Sequence, residues 1–413
     1  MPVRHLHRRT VGLTRACFPA VARTLSQGYI VSQIPGGSLG RRLGYKRVLT
    51  YAASGWAILT LLTVPAAGIS FRALLACRFA LGLVEGATYP CVYGYLQPFL
   101  LPNERSASIA TMLSGSPIGT TVAFLICPPI AARAGWRGVF VFFSLCGALW
   151  VAAWHHFAPE VDEIPNFPHI STGQPGFLPG AGASGRGGSG DDFKRGGRLS
   201  AGLAPETDAR VVLRRMLVTP ACQVIFLCNF CLGFGQYTLL AWLPTYFNER
   251  WGISGDSLSM TMLPYLCMAI AGLSSGYVAD RLIGRHTFSI LRARRTINTV
   301  AFTIGGAAML MVPEAGSAWA AVGWVCVALS GGVLTNGGFE ANKFDVAGPG
   351  SVALLQGLSN TIGNLSAPIA VSLTAWVVES TDSWASVFWL VAGLYAIALV
   401  GFYAMADSRR QYG

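Results

Sequence analysis

The 413-residue chain is strongly apolar: 53% of its residues are hydrophobic and 12% are charged. Soluble domains average about 25% charged residues, so this composition indicates a membrane protein. The formal net charge is +12. Aromatic residues do not interleave with the basic runs, which argues against nucleic acid as a partner.

Long apolar blocks predict transmembrane helices. The blocks approach the roughly 20 residues needed to cross hydrocarbon and lack the alternation of barrel strands. The sequence predicts about 11 spans, at residues 25–39, 48–69, 73–99, 107–132, 139–154, 221–247, 258–279, 297–312, 318–339, 352–378 and 384–406.

Residues 1–24 form a basic segment without an acidic residue. The other loops, placed alternately on two sides, concentrate Lys and Arg on one side, which the positive-inside rule assigns to the cytosol or its organellar equivalent. About 11 spans then leave residues 1–24 on the opposite side. Two explanations stay open: a first helix is missing, or the segment is an Arg-rich targeting peptide. If a helix is missing, residues 1–24 are expected to pack poorly.

A Gly/Ser/Pro-rich stretch at 158–215 predicts a flexible central loop between two helical halves, 25–157 and 216–406, with a tail at 407–413. Residues 37–43 and 276–282 carry a related pattern. Two halves related by an axis along the membrane normal are typical of rocking transporters. The pattern predicts conformational loop residues in both halves: Arg41, Arg42, Asp280 and Arg281.

Arg78 and Glu85 are charged residues inside the predicted span 73–99. A lone ion near the bilayer centre costs about 2.5 to 3.5 kcal/mol, so such residues usually belong to functional sites. Helical geometry places both side chains on nearly the same face, about 10 Å apart. The alternative is that Arg78 extends to the nearby interface and Glu85 only supports packing.

Catalytic and metal-binding patterns do not emerge from the sequence. The histidines lie outside the predicted spans or at their ends, and the cysteines are scattered through the apolar blocks. We find no zinc motif, phosphate-binding glycine loop or nucleophile elbow. The sequence therefore favours a protein that is not an enzyme and uses no cofactor or metal.

Two motifs resemble one branch of a known family. Residues 28–37 read GYIVSQIPGG and residues 78–90 read RFALGLVEGATYP. They are similar to G-Y-I-V-T-Q-I-P-G-G and R-x6-E-G-x-T-Y/F-P of the anion:cation symporters in the major facilitator superfamily. That branch includes sialin, vesicular glutamate transporters, type I sodium/phosphate cotransporters and plant plastid anion transporters. The resemblance extends from about residue 28 to 406, interrupted by the central loop.

The resemblance implies an all-α, polytopic membrane protein with two six-helix halves, the first helix being absent from the visible spans. It implies that Arg78 binds the negative charge of a substrate, that Glu85 is the proton-sensitive coupling residue, and that Tyr29, Tyr89 and Tyr237 line the substrate cavity. Each tyrosine could equally be a packing residue.

The resemblance also implies partners. These are a small organic anion or inorganic phosphate, a proton or sodium ion for coupling, and the lipid bilayer around a monomer. The membrane could be that of a plastid, an endolysosomal or vesicular compartment, or the cell surface. The alternative is a non-transporting membrane protein, either a truncated inactive relative or a substrate-sensing receptor.

Some residues depart from the pattern of the branch. Leu232 stands where vesicular glutamate transporters have an additional arginine, and Ala22 where they have a histidine. A dicarboxylate needs two cationic partners, so these departures argue against glutamate and favour a singly charged anion or phosphate. The family's N-H-x-D-I-A-P loop appears as NKFDVAGP at 342–349. The sequence places Lys343 with the loop lysines and arginines on the side of the membrane that is rich in positive charge.

Overall fold

The computed structural model describes residues 3–101, 104–159, 209–253, 258–285, 288–348 and 350–409. The side chains of residues 3–20, 22 and 258–261 lie outside this description. The described chain is dominated by helices: α1 (Val3–Leu43), α2 (Tyr45–Ile69), α3 (Phe71–Gly86), α4 (Thr88–Leu96), α5 (Arg105–Phe157), α6 (Ala209–Val218), α7 (Pro220–Trp251), α8 (Leu258–Gly284), α9 (Ile290–Met311), α10 (Ala318–Val333), α11 (Phe339–Val346), α12 (Val352–Thr381) and α13 (Trp384–Met405). Short 3-10 turns lie at Gln97–Phe99 and Leu334–Gly337.

Seven of the helices are long and apolar enough to cross a membrane. Large apolar side chains remain exposed on their outer faces, including Leu149, Trp376 and Val400. Exposed apolar side chains of this size are unfavourable in water and favourable against lipid chains. The architecture is therefore that of an all-α, polytopic membrane protein.

Two predicted spans are interrupted. The span 73–99 divides into α3 and α4, with the break at Ala87. Pro90 follows in the first turn of α4, where its missing N–H removes a bond that would continue the helix. The span 318–339 ends instead in the 3-10 turn and is followed by α11. The prediction of a continuous span at 73–99 was wrong, because apolar length alone does not detect a local loss of helical hydrogen bonds. The predicted span 318–339 lies within one segment, Ala318–Val346, that is long and apolar enough to cross a membrane.

The spans predicted at 107–132 and 139–154 follow one another with a sharp break inside α5. Gly135 has φ 66° and ψ 179° there. A residue with a Cβ rarely adopts this conformation, whereas glycine adopts it without steric cost. The break turns the chain back, so both parts of α5 belong to the first half.

Two segments contain more helix than the sequence predicts. α1 begins at Val3 and therefore extends into the basic segment 1–24. Because the side chains of residues 1–20 and 22 are outside the description, poor packing of that segment stays a prediction. α6 lies partly inside the segment predicted as a flexible loop, and it buries Val212 and Met216 one helical turn apart. Residues 160–208 of that loop lie outside the described residues.

The two halves cross at closely packed helix pairs. α5 packs along α8, and α1 packs along α12. The glycines that open the two related loop patterns lie at these crossings. A Cβ on Gly276 would lie 2.5 Å from the Ser106 carbonyl oxygen, and one on Gly37 would lie 2.9 Å from that of Ala353. Each half therefore brings a glycine against a helix of the other half.

Candidate functional site

A cavity of about 340 Å³ lies between the two halves. Its walls combine tyrosines, side-chain amides and one carboxylate with apolar side chains. The lining residues are Tyr29, Tyr89, Leu113, Ser116 and Pro117 from the first half, and Asn229, Leu232, Gly233, Gln236, Tyr237, Met268, Val333, Asn336, Glu340, Gln356, Asn360, Gly363 and Asn364 from the second.

The α12 wall of the cavity is a row of amides. Gln356, Asn360 and Asn364 follow one another at intervals of four residues, so they project from one face of the helix. Asn364 Nδ2 donates to the Asn360 carbonyl at 2.7 Å. Amides both donate and accept hydrogen bonds, which suits this wall to polar solutes.

The predicted tyrosines Tyr29, Tyr89 and Tyr237 all line the cavity. Tyr29 accepts a hydrogen bond from Asn360 Nδ2 at 3.2 Å, which joins α1 to α12 across the two halves. The Tyr237 hydroxyl donates to Asn364 Oδ1 at 2.7 Å. The structure thus brings these three residues together at one site, while their role in substrate binding stays a prediction.

Glu340 is the one ionisable carboxylate among the described lining residues. Its Oε1 accepts a hydrogen bond from Lys343 Nζ at 2.7 Å, and its Oε2 accepts one from the Tyr93 hydroxyl at 2.6 Å. Lys343 also donates to Gln356 Oε1 at 2.8 Å, and its side chain is 0% exposed. The placement of Lys343 among the loop cations was wrong, because Glu340 and Gln356 hold it inside the protein.

The halves are joined at one end of the bundle, where α4 and α5 meet α9, α11 and α12; we call this the closed end. Asp345 on α11 pairs with Arg105 of α5 at 2.7 Å and with Arg294 of α9 at 2.8 Å. Arg294 also donates to Ser106 Oγ at 2.5 Å. Gln97 Nε2 donates to the Gly348 carbonyl at 2.9 Å. Several bonds between the halves therefore seal the cavity at this end.

Two of the predicted conformational loop residues, Asp280 and Arg41, also lie at the closed end. Asp280 accepts hydrogen bonds from the backbone N–H groups of Ser106 and Ala107, at 3.1 and 2.7 Å. These groups begin α5 and have no partner within the helix, so a carboxylate is favourable there. Arg41 is half-buried and approaches Gly350, just before α12, while Arg42 is exposed.

Arg281, the fourth predicted loop residue, is exposed on α8. The pattern at 37–43 thus lies at the start of α12, and the pattern at 276–282 lies at the start of α5. Arg41 and Asp280 occupy equivalent positions in the two patterns.

Arg78 and Glu85 do not line the cavity. The Arg78 guanidinium lies 5.2 Å from the centre of the Phe140 ring on α5. Its Nε is buried and has no hydrogen-bond partner among the described residues. The Trp56 indole on α2 donates a hydrogen bond to Glu85. In this conformation the two charges face α2 and α5, so their roles in binding and coupling stay predictions.

Several site residues were missed by the sequence reading. The amides at 356, 360 and 364 carried a usable signal, since polar residues spaced by four in an otherwise apolar helix mark one face. Glu340 and Lys343 carried a weaker signal, three residues apart in a short helix. Among the described residues, no group of His, Cys, Asp and Glu could hold a metal ion.

Comparison with known proteins identifies the family. The Major Facilitator Superfamily profile matches residues 5–371. The chain is 30% identical over 398 residues to the rice protein "Probable anion transporter 4, chloroplastic", covering 95% of this chain and 61% of that relative. It is 27% identical over 410 residues to "Probable anion transporter 5" of Arabidopsis thaliana, covering 97% of this chain and 90% of the relative. The chain thus spans less than two thirds of the rice relative's length.

Solved structures share the fold. The Escherichia coli fucose:proton symporter superposes with a TM-score of 0.69 at 13% identity, over 98% of this chain and 95% of that one. A proton:xylose symporter superposes with a TM-score of 0.70 at 12% identity, over 97% of this chain and 88% of that one. The curated relatives are those of the branch that the motifs resemble. The chain is an integral, multi-pass membrane protein that belongs to the Major Facilitator Superfamily.

Proposed function

We propose that this protein is a secondary active transporter of small anions, either organic anions or inorganic phosphate, that works by alternating access. The observation that carries the proposal is the polar cavity between the halves, sealed at the closed end by bonds that cross from one half to the other. A solute held there contacts both halves, so their relative movement can expose it to one side of the membrane and then to the other.

The cavity chemistry supports an anionic solute. The amides of Asn229, Gln236 and Asn336 offer N–H donors to a solute in the cavity. Leu232 lines the cavity at the position where the sequence comparison expected an additional arginine for a dicarboxylate. A wall with many neutral donors and few cations suits a solute with one negative charge, or phosphate, better than one with two carboxylates.

Arg78 and Glu85 belong to the proposal as the two charges of α3 that the sequence predicts inside a span, although neither lines the cavity in this conformation. A guanidinium stays charged when partly buried and can bind a carboxylate or phosphate through two parallel hydrogen bonds. The Arg78 Nε has no hydrogen-bond partner among the described residues but is buried in this conformation, so we propose that an anion reaches the guanidinium only when the halves move. We assign Arg78 to attraction of the anion and Glu85 to exchange of a coupling proton, with sodium as the alternative coupling ion.

Counterflow in proteoliposomes tests the proposal. Purified protein is reconstituted into vesicles preloaded with unlabelled phosphate, ascorbate or glutamate, and entry of the same labelled anion is measured. This panel follows the relatives named "Sodium-dependent phosphate transport protein 1, chloroplastic", "Ascorbate transporter, chloroplastic" and "Vesicular glutamate transporter 1".

We expect counterflow of phosphate or ascorbate to exceed that of glutamate, and uncharged xylose to give none. Binding of an anion without any counterflow would contradict transport and favour a substrate-sensing membrane protein. Counterflow of xylose alone would contradict the anion class.

A further inference from the structure

Glu340 separates the only buried ammonium group near the cavity, within the described residues, from the cavity itself. Glu340 and Gln356 line the cavity, whereas Lys343 lies behind them and bonds to both. The Glu340 carboxylate therefore occupies the position from which an anion in the cavity would reach the Lys343 ammonium. As long as Glu340 is ionised, it neutralises Lys343 and repels a second anion.

Lys343 is the cation that pairs with Glu340 among the groups around it. Tyr93 and Tyr89 face it from α4, and Cys228 lies near the pair on α7. Gln356 of α12 is uncharged. Arg105 of α5 and Arg294 of α9 lie in the same region, and both are paired with Asp345. The remaining charged group on α11 is Asp345 itself.

We infer that Lys343 is a second anion-binding cation, behind the cavity wall and additional to Arg78, and that Glu340 is a carboxylate that must take up a proton before the anion can reach Lys343. Protonation on Oε1 removes the negative charge that balances Lys343. The ammonium is then a buried cation without a counter-charge, which is strongly unfavourable. An anion from the cavity restores neutrality by accepting hydrogen bonds from Lys343 Nζ and from the new Glu340 hydroxyl.

Proton binding and anion binding are therefore linked: each raises the affinity for the other by the same factor. The anion prefers protonated Glu340, so its affinity rises as pH falls and declines as pH rises. In the pH range where Glu340 is ionised in the protein without bound anion, uptake of one linked proton changes the anion affinity by about tenfold per pH unit. This inference rests on the proposed anion transport and adds to it a binding residue and a proton site that the family motifs do not supply.

Equilibrium binding to purified protein in detergent tests the linkage. The probe is the panel anion with the largest counterflow, and affinity is expressed per concentration of its singly charged ion, so that titration of the anion itself does not contribute. The wild type is expected to gain about tenfold in affinity per unit fall in pH. Glu340→Gln mimics the protonated carboxyl, and it should bind the anion about as tightly as the wild type does at low pH, at every pH tested.

The cation is tested by Lys343→Met, which keeps the length of the side chain and removes its charge. Because Glu340 is then left buried without a partner, the double variant Glu340→Gln/Lys343→Met is prepared as well. Its neutral pair is expected to fold, since replacing both members of a buried ion pair is far less costly than replacing one. Both variants should lose anion binding, by about tenfold or more.

One variant serves as the control. Glu379→Gln makes the same substitution at an exposed position on α12, and it should keep the wild-type pH dependence.

A wild-type pH dependence in Glu340→Gln would overturn the inference, and so would tight anion binding by the folded double variant. Both outcomes leave anion transport itself intact. Absence of counterflow for every panel anion in the wild type would instead remove the proposed function, and this inference with it.

Discussion

Arg78 stacks near an aromatic ring at the side of the bundle, while its Nε lacks a hydrogen-bond partner among the described residues. A guanidinium placed on an aromatic face retains its charge, and the buried Nε of Arg78 remains a donor without a partner among the described residues. The contact with Phe140 of α5 explains how a cation is tolerated in an apolar helix. It does not use the hydrogen-bonding capacity of the group.

Arg78→Ala should reduce anion counterflow by about tenfold or more, since a charge-assisted hydrogen bond contributes about 1.5 to 3 kcal/mol. Arg78→Lys should also reduce it, because a single ammonium cannot reproduce the planar pair of donors. The measurement is counterflow in proteoliposomes at matched protein content. Arg72→Lys, at an exposed position on the same helix, is the control and should transport normally. Normal counterflow in Arg78→Ala would show that the anion does not depend on this residue.

Glu85→Gln should keep anion exchange, measured as counterflow, and lose net transport, measured as accumulation driven by a pH gradient. A permanently neutral side chain at position 85 cannot release its proton, so the return of the empty carrier no longer depends on that release, even where Glu340 still takes up a proton with the anion. Counterflow should persist, while uphill accumulation driven by a pH gradient should disappear. If the residue only supports packing against Trp56, both activities should decline together. Persistence of pH-driven accumulation would rule out Glu85 as the coupling residue.

At the scale of elements, the sequence predicted where most helices lie but not where they are interrupted. Apolar length identified α2, α12 and α13 closely, since a span must satisfy its backbone bonds internally. The 3-10 turn before α11 was missed, although its residues Leu-Thr-Asn-Gly are more polar than those of the helix before it. Such a break depends on which backbone groups find partners in other helices, and that is set by tertiary packing.

The burial of the Lys343–Glu340 ion pair could likewise not be predicted from the sequence around these two residues. Lys343 follows a predicted span and precedes a loop, so position alone suggested an exposed residue. Its partner Glu340 lies on the same helix, but Tyr93 and Gln356 come from distant parts of the chain. A buried ion pair needs such additional partners to offset the loss of water. The Gly37 and Gly276 patterns were more informative, because close helix crossings require residues without a side chain.

Gly276→Leu should prevent the closed end from forming. A side chain there would meet the Ser106 carbonyl oxygen and the Ala110 side chain. We expect the protein to fold with α5 and α8 separated at this end. Spin labels at the exposed positions Arg47 and Arg285 should report a longer distance, and counterflow should be lost.

Gly323→Leu is the matched control, because a Cβ at that helical glycine meets nothing within 4 Å. It should leave both the label distance and counterflow unchanged. An unaltered label distance in Gly276→Leu would contradict the role of this crossing.

At the scale of the molecule, the two halves enclose one polar cavity and are joined at the closed end. The loops after α1 and α8 approach this end, and the sequence predicts that their basic residues face the cytosol or its organellar equivalent. The structure would then represent a carrier closed toward that side. The closed end must open while the opposite end closes, because a carrier open at both ends would dissipate the gradient that drives it.

Gradient-driven accumulation of an anion tests this account most directly. Proteoliposomes containing the wild-type protein are given an inward proton gradient, or in parallel an inward sodium gradient, and uptake of labelled phosphate or ascorbate is followed. The account predicts that one gradient raises the internal anion concentration above the external one, and that an ionophore which collapses that gradient releases the excess. Uptake that stops at equal concentrations under both gradients, or that is unaffected by the ionophore, would contradict secondary active transport.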